Sequence, residues 1–206
     1  MRILLVHQGY PPESVGGSEV YVGALARQLA REHEVAVLHR SQDAGRRDHE
    51  VRESRRDGVR LFALNNLHRA APGFESYRDA GAGAAAEGVL ESFRPDLVHV
   101  HHLNGLSTGI VFAARRHGAP VVLTLHDFWP LCPLGQLLNL DLEVCPGPSP
   151  RRCLGCVGAQ VAPAPRVARS AGRQFPLAAA AAARLARLGG GGALRIGARL
   201  DEMREL

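Results

Sequence analysis

The sequence contains no lysine, so all 25 of its basic residues are arginine. Together with many alanines, glycines and prolines, this bias is typical of a GC-rich coding sequence rather than of a nucleic-acid-binding surface. We therefore expect no nucleic-acid partner. The net charge of +5 still suits an acidic membrane surface or a phosphorylated ligand.

Long hydrophobic runs are also missing. A membrane-spanning helix needs ~20 apolar residues, whereas the first apolar run, Ile3–Val6, breaks at His7. The amino terminus also lacks the long apolar region and small-residue cleavage site of a signal peptide. These absences predict a cytoplasmic protein, with peripheral contact at the inner membrane face left open, and they argue against structural disulfides.

Apolar runs alternate with helical patterns along most of the chain. Short apolar runs bounded by loops are typical of strands buried on both faces of a parallel sheet. The predicted strands are Arg2–Val6, Glu34–His39, Val59–Leu64, Asp96–Val100 and Pro120–Leu125, and the predicted helices are Glu19–Arg31, Glu75–Phe93 and Leu106–His117. This alternation predicts an α/β, Rossmann-like, doubly wound parallel sheet without internal repeats.

Local signals refine this pattern at several points. Ser18 is placed to cap the first helix, and the charged run Gly45–Arg56 is interpreted as a solvated loop. Val121, Val122 and Leu123 suggest a strand buried on both faces. We expect one domain over residues 1–188 and a truncated linker and helix over 189–206.

All four cysteines lie in a proline- and glycine-rich insertion at 128–158. Cys153 and Cys156 form one C-x-x-C pair, which Cys132 and Cys145 could complete as a tetrahedral thiolate site. A segment without an evident core can gain order from a metal. Structural zinc is one interpretation, and free thiols or a redox pair are the other.

Three polar groups follow predicted strands. Ligands of open parallel sheets bind beyond the carboxyl ends of the strands. These groups are Gly16-Gly17-Ser18-Glu19 after the first strand, His99, His101 and His102 at the fourth, and His126-Asp127 after the fifth. Their shared edge makes them a candidate site.

The glycine pair can let a phosphate or sugar approach a helix amino terminus, although a plain tight turn is the alternative. A dinucleotide site is not indicated, because G-x-G-x-x-G is missing and the second strand ends in His39-Arg40 rather than an acidic residue.

The histidines suggest hydrogen-bonding roles. His126 can donate to a sugar hydroxyl or phosphate while Asp127 orients its ring; the alternative is a histidine satisfied within its loop. Strand alternation places His99 and His101 on one face. For His99, His101 and His102 a metal site is the alternative to a polar cleft rim. We favour the rim, assign no zinc to these residues, and take His101 and His102 as candidate substrate-binding residues.

Taken in order, these segments resemble glycosyltransferase family 4 over nearly the whole chain. The segments are Met1–Val6, Gly16–Glu19, Asp96–His101 and Thr124–Trp129. The His-Asp-Phe-Trp stretch at 126–129 is the most specific of them, with Cys132-Pro133 and Gly135-Gln136 after it.

The resemblance implies the amino-terminal half of a GT-B enzyme with a cysteine-bearing insertion. It implies a nucleotide-sugar donor, a glycan or lipid acceptor, retention of anomeric configuration and no cofactor required for catalysis. The Gly16-Gly17 loop would approach the donor phosphate and sugar, and His126 would contact the transferred sugar.

The family's Glu-x7-Glu pair and second Rossmann unit are not found in this sequence. We therefore expect a fragment that is inactive without a donor-binding domain. The alternatives are a non-catalytic sugar- or lipid-binding module and a zinc-stabilised interaction domain.

Overall fold

The computed structural model describes residues 1–67, 78–132, 134–139, 142–149, 153 and 156. The chain forms two compact units, Met1–His126 and Asp127–Leu206. The start of the helix predicted over 75–93 and all of the linker and helix predicted over 189–206 lie outside the described residues. In the described part, no helix reaches the length and hydropathy that a bilayer crossing requires.

The first unit is a six-stranded sheet with helices between the strands. Its elements are β1 (Arg2–His7), α1 (Gly17–Leu29), β2 (Glu34–Ser41), β3 (Val51–Arg56), β4 (Val59–Asn65), α2 (Ala80–Phe93), β5 (Leu97–Val100), α3 (Gly109–Arg116) and β6 (Val121–Leu123). The strand order is β3-β4-β2-β1-β5-β6. All neighbouring pairs are parallel except β3 with β4, so the sheet is mixed rather than wholly parallel.

Helices cover both faces of this sheet. On α1, Val22 and Ala26 stand one turn apart and pack in one core cluster with Leu5 and Leu61. The next residue of β4, Phe62, points to the opposite face by strand alternation and meets Phe93 of α2, with ring centroids 6.4 Å apart. The Rossmann-like, doubly wound prediction is therefore confirmed.

The interpretation of Gly45–Arg56 as a solvated loop is wrong for its second half. Residues 51–56 form β3, an edge strand antiparallel to β4. The turn between them is Asp57-Gly58, both with positive φ (50° and 80°). An Asp-Gly pair is a strong signal for a two-residue hairpin. The charged side chains of β3 remain exposed, which suits an edge strand.

The predicted cap of α1 is also corrected. The helix begins after Gly16, whose extended backbone (φ −148°, ψ 179°) makes it the N-cap, with no side-chain capping bond. Ser18 lies inside the first turn, and its hydroxyl donates to Glu19 at 3.1 Å. Because Gly16 already turns the chain into the helix, Ser18 is free to bind the neighbouring carboxylate instead.

The burial predicted for the fifth strand is wrong as well. β6 is only three residues long, and Val122 and Leu123 are about half exposed at 46% and 56%. Within the described residues β6 pairs with β5 alone and is an edge strand, so fewer neighbours cover it than cover a central strand.

Candidate functional site

The carboxyl ends of β1 and β5 and the residues after β6 meet at one edge of the sheet. His7 ends β1, His101 follows β5, and His126 lies three residues beyond β6. The three imidazole rings are neighbours, with centroid distances of 5.2 to 6.5 Å. The structure therefore places the predicted His126 and His101 at the edge where parallel sheets bind ligands.

The glycine loop reaches the same edge through α1. Tyr21, one turn into that helix from Gly17, has its ring 5.2 Å from that of His126 and 5.9 Å from that of His101. A Cβ at Gly17 would meet no atom within 4 Å, so the start of the helix is open to approach. The first N–H groups of a helix have no partner within the helix and favour oxygen ligands.

Glu19 occupies the inside of this loop. Its side chain is buried, and its carboxylate accepts hydrogen bonds from Ser14 at 3.3 Å and Ser18 at 3.1 Å. Burial by itself would raise the pKa of Glu19, but hydrogen bonds from its own backbone N–H and the two serines, together with the proximity of His7, leave that pKa lowered. Glu19 thus fixes the loop as a carboxylate, and its contact with a substrate stays a prediction.

The close packing around Glu19 explains one glycine of the pair. A Cβ at Gly16 would lie 2.5 Å from the Glu19 Oε2 atom. No real Cβ contact is that short, so a side chain at Gly16 would displace the carboxylate. Gly16 therefore serves the shape of the loop, whereas Gly17 leaves the helix start accessible.

His101 and His126 form the central pair of the site. Nδ1 of His101 shares a hydrogen bond of 3.0 Å with Nε2 of His126. Burial, with the nearby rings of His99, His126 and His7, lowers the pKa of His101 to about 3. His101 is therefore neutral at physiological pH. Nε2 of His126 is occupied by the hydrogen bond to His101. Nδ1 of His126 is therefore the ring nitrogen that can bind a ligand.

Two further histidines belong to this cluster: His7, for which the sequence predicted no role in ligand binding, and His99, which was predicted at the polar rim. His7 is fully buried, and its Nδ1 lies 2.9 Å from the Gly9 carbonyl oxygen. His99 contacts the Thr124 hydroxyl through Nε2 at 2.8 Å, and its ring lies 4.0 Å from that of His101. A polar residue ending the apolar β1 run is the signal that could have identified His7.

The cluster is partly buried: His7 and His101 are buried, whereas His99 and His126 are half-buried. Burial is the main cause that lowers the pKa of His7 and of His99. The Nε2 atoms of His7 and His101 are buried and have no hydrogen-bond partner among the described residues. Each neutral imidazole offers one hydrogen-bond donor and one acceptor. Such rings suit the hydroxyl groups of a ligand better than charged side chains do.

His102 lies beside the cluster rather than at its centre. Its side chain is buried, and its Nδ1 accepts a hydrogen bond from the Asn104 backbone N–H at 3.1 Å. The ring centroid is 6.2 Å from that of His7. His102 therefore shapes the turn after β5, and its predicted contact with substrate stays a prediction.

Asp127 and the cysteines belong to the second unit. Asp127 accepts a hydrogen bond from the Trp129 backbone N–H at 2.8 Å, and the orientation of His126 by Asp127 stays a prediction. No disulfide joins the four predicted zinc ligands, which are Cys132, Cys145, Cys153 and Cys156. Across the described residues, no group of three or more His, Cys, Asp or Glu side chains is arranged to hold a metal. Structural zinc stays a prediction.

Comparison with protein families gives a match over most of the chain. The family model described as Glycosyltransferase Family 4 matches residues 15–186. A Klebsiella pneumoniae protein described as an uncharacterized 42.6 kDa protein in the cps region is 26% identical over 159 residues, which cover 70% of this chain and 41% of the relative. The chain therefore spans less than half the length of that relative.

Solved structures with similar folds include two synthases. Sucrose-phosphate synthase from Thermosynechococcus elongatus has a TM-score of 0.43 and 20% identity, covering 62% of this chain and 33% of that one. A trehalose-6-phosphate synthase has a TM-score of 0.42 and 15% identity, covering 62% and 34%. At such low scores the fold assignment rests on the sheet topology of this chain itself.

Proposed function

This chain belongs to Glycosyltransferase Family 4, and we propose that it is the acceptor-side part of a retaining glycosyltransferase of GT-B architecture. In this proposal a hexosyl group moves from a nucleotide-sugar donor to a glycan or lipid acceptor. The cps-region relative makes a polysaccharide precursor a suitable acceptor class.

The observation that carries the proposal is the convergence of the α1 amino terminus with His126. Tyr21, one turn from Gly17, has its ring 5.2 Å from that of His126. An open helix start suits an anionic or hydroxyl-rich ligand, and the imidazole beside it suits a hydroxyl. The two groups together match the needs of a sugar joined to a phosphate.

Each group has a distinct role in the proposed reaction. The backbone N–H groups at Gly17 and Ser18 approach the donor phosphate, while Nδ1 of His126 bonds a hydroxyl of the transferred sugar. The bond between the anomeric carbon and the phosphate oxygen breaks, and the acceptor oxygen bonds the same face of that carbon. The acceptor proton passes to the leaving phosphate, so no protein side chain needs to act as general base.

His101 acts through His126 in this scheme. Because its pKa is lowered to about 3, it remains a neutral hydrogen-bond partner and fixes the ring of His126 through the 3.0 Å contact. A fixed ring loses less conformational entropy when the sugar binds. His101 is thus a positioning residue, and His126 is the one that contacts substrate.

The test is a transfer assay with the longest protein that the gene encodes. Candidate nucleotide-sugars are incubated with membrane lipid and polysaccharide precursors, and the anomeric configuration of the product is read from proton coupling constants in NMR spectra. We expect retention; an inverted product contradicts the proposed mechanism.

The isolated 206-residue chain provides a second arm of the assay. We propose that it lacks the residues that hold the nucleotide, so it should show no turnover above background. A robust rate from homogeneous protein of this length contradicts that part. A longer protein that binds sugar without transferring it would support the non-catalytic alternative.

A further inference from the structure

A cavity whose lining includes none of the clustered histidines lies at the carboxyl ends of β1 and β2. Its volume is about 550 Å³, within the range of small-molecule sites. Strands β2, β3 and β4 contribute to its walls, together with the loops after β1 and β2. Five arginines line it: Arg40, Arg46, Arg52, Arg55 and Arg56.

The charges of the cavity are not balanced internally. Its three carboxylates are those of Glu13, Asp43 and Glu50. Arg46 alone engages two of them, donating to Asp43 at 3.0 Å and to Glu50 at 2.8 Å. Glu13 is the one lining carboxylate without an ion pair to a described residue, and arginines outnumber carboxylates in the lining, so the cavity carries a net positive charge.

The hydrogen bonds of these arginines leave donors for a ligand. Arg40 donates through Nε to the Asn66 carbonyl oxygen, and Arg56 donates through Nη1 to the Pro11 carbonyl oxygen. Arg52 and Arg55 on β3 are exposed and have no hydrogen bond or ion pair with any described residue. Guanidinium groups with unused N–H donors match phosphate and carboxylate oxygens.

The wall of the cavity is fixed by the end of β4. The Asn65 side chain donates to the carbonyl oxygens of Asp43 and Arg47 and accepts from the Asp43 backbone N–H. The loop that carries Asp43 and Arg46 is therefore held against the sheet. A preformed wall lowers the entropic cost of binding.

One residue connects this cavity to the candidate site. Ser14 lines the cavity, and its hydroxyl donates to Glu19 inside the glycine loop. A ligand held by the arginines would thus lie next to the loop that we propose approaches the donor.

We infer that this cavity, which we call the arginine cavity, binds the phosphate or carboxylate group of an anionic acceptor. Assigning the anion to the acceptor rests on the proposed function, whereas anion binding itself does not. The charge run that includes β3 then has a binding role as well as a solvated one. The phosphate can belong to a soluble sugar phosphate or to a lipid headgroup.

The experiment measures binding by this chain without any sugar donor. Glucose 6-phosphate, glucose and inorganic phosphate are titrated by calorimetry, and vesicles of phosphatidylcholine with and without phosphatidylglycerol are tested by co-sedimentation. We expect saturable binding of at least one phosphate-bearing probe and none of glucose. Affinity should fall as salt rises.

The diagnostic variant is Arg52→Gln with Arg55→Gln, both exposed and outside any described ion pair. We expect this variant to raise the dissociation constant of the phosphate-bearing probe about tenfold, since hydrogen bonds to charged groups are among the stronger ones. The matched control is Arg115→Gln on α3, which is exposed and outside the cavity. It should leave affinity unchanged.

The arms of the experiment separate the outcomes. If the variant weakens only the binding of glucose 6-phosphate, the acceptor is a soluble sugar phosphate. If it weakens only the binding of anionic vesicles, the acceptor is a lipid headgroup. Absence of saturable binding, or equal weakening by Arg115→Gln, overturns the inference. Anion binding by a protein that transfers no sugar removes the proposed function but keeps the arginine cavity.

Discussion

His101 and His126 share a 3.0 Å hydrogen bond between Nδ1 and Nε2 although 25 residues separate them in sequence. His101 follows β5, and His126 follows the neighbouring strand β6. Parallel pairing of these strands brings the two rings to one edge of the sheet. This contact joins a buried neutral imidazole to the one that we propose binds the sugar, and several predictions depend on it.

His126→Ala should lower sugar transfer by the longest encoded protein about 10- to 100-fold, because one hydrogen bond to the transferred sugar is lost. Initial rates with the preferred nucleotide-sugar provide the measurement. His126→Asn, which keeps a short polar group, should retain more activity than the alanine variant. Unchanged transfer by His126→Ala would remove this residue from the proposed mechanism.

The stability of the fold should fall in acid because His101 is buried as a neutral ring. Its pKa in the folded state is about 3, below the ordinary histidine value of 6.5, so the unfolded chain binds more protons between these values. The free energy of unfolding therefore rises with pH across that window, by up to about 1.4 kcal/mol per pH unit for one proton. Urea denaturation at pH 5.0, 6.0 and 7.5 measures this slope.

The variant His101→Phe tests whether that slope comes from this residue. A phenyl ring fills a similar volume but binds no proton. The slope of the unfolding free energy against pH should therefore decrease by the contribution of one histidine. Burial also lowers the pKa values of His7, His39 and His99, and a smaller slope should therefore remain. An unaltered slope would contradict the assignment to His101.

Alanine substitutions at the two adjacent glycines of the loop should have different effects on the free energy of unfolding. Gly16→Ala should lower the free energy of unfolding by about 1 kcal/mol, since the new Cβ displaces the hydrogen-bonded Glu19 carboxylate. Gly17→Ala meets no neighbouring atom and should be neutral or stabilising by roughly 0.5 kcal/mol. Thermal unfolding of both variants checks the difference.

At Gly17 the alanine substitution should impair activity although it does not lower stability. If the donor approaches the open helix start, the added methyl group of Gly17→Ala should raise the KM for the nucleotide-sugar while leaving stability intact. A Gly17→Ala protein with wild-type KM would show that the donor does not approach there.

Asp79 should be a stability residue away from the site. Its carboxylate caps α2 by accepting from the Ala82 backbone N–H at 2.9 Å, and it also accepts from the Asn66 side chain at 2.8 Å. Asp79→Ala should cost about 1 to 2 kcal/mol, and Asp79→Asn, which can still cap, should cost less. Urea denaturation measures both; equal losses would exclude capping as the main contribution.

The pH dependence of this contribution has the same sense as that of the buried His101, because in both cases the folded-state pKa is lowered and the unfolded chain binds more protons. Burial would raise the pKa of Asp79, but hydrogen bonds from Ala82, His49 and Asn66 leave it below its usual value. The stabilisation is therefore present above the unfolded-state pKa and is lost as the pH falls through the folded-state value. Asp79→Ala should differ from wild type less at pH 3 than at pH 7.

Local features of the sequence determined most of the secondary structure. The apolar run of β1 predicted a strand buried on both faces because a central parallel strand has helices above and below it. The Asp57-Gly58 pair carried the hairpin signal that a charge-based interpretation of residues 45–56 overlooked. The glycine pair and His126 were also found from their positions after apolar runs.

Only the tertiary structure decided which of these groups meet. Strand order placed β1 between β2 and β5, so His7, at the end of one strand, joined the rings that follow two others. The same order aligned β2, β4 and β3 to form the wall of the arginine cavity. Periodicity reports local burial, but neighbours across a sheet depend on crossover connections between segments tens of residues apart. For that reason the sequence located the polar groups one by one, and only strand pairing assembled them into sites.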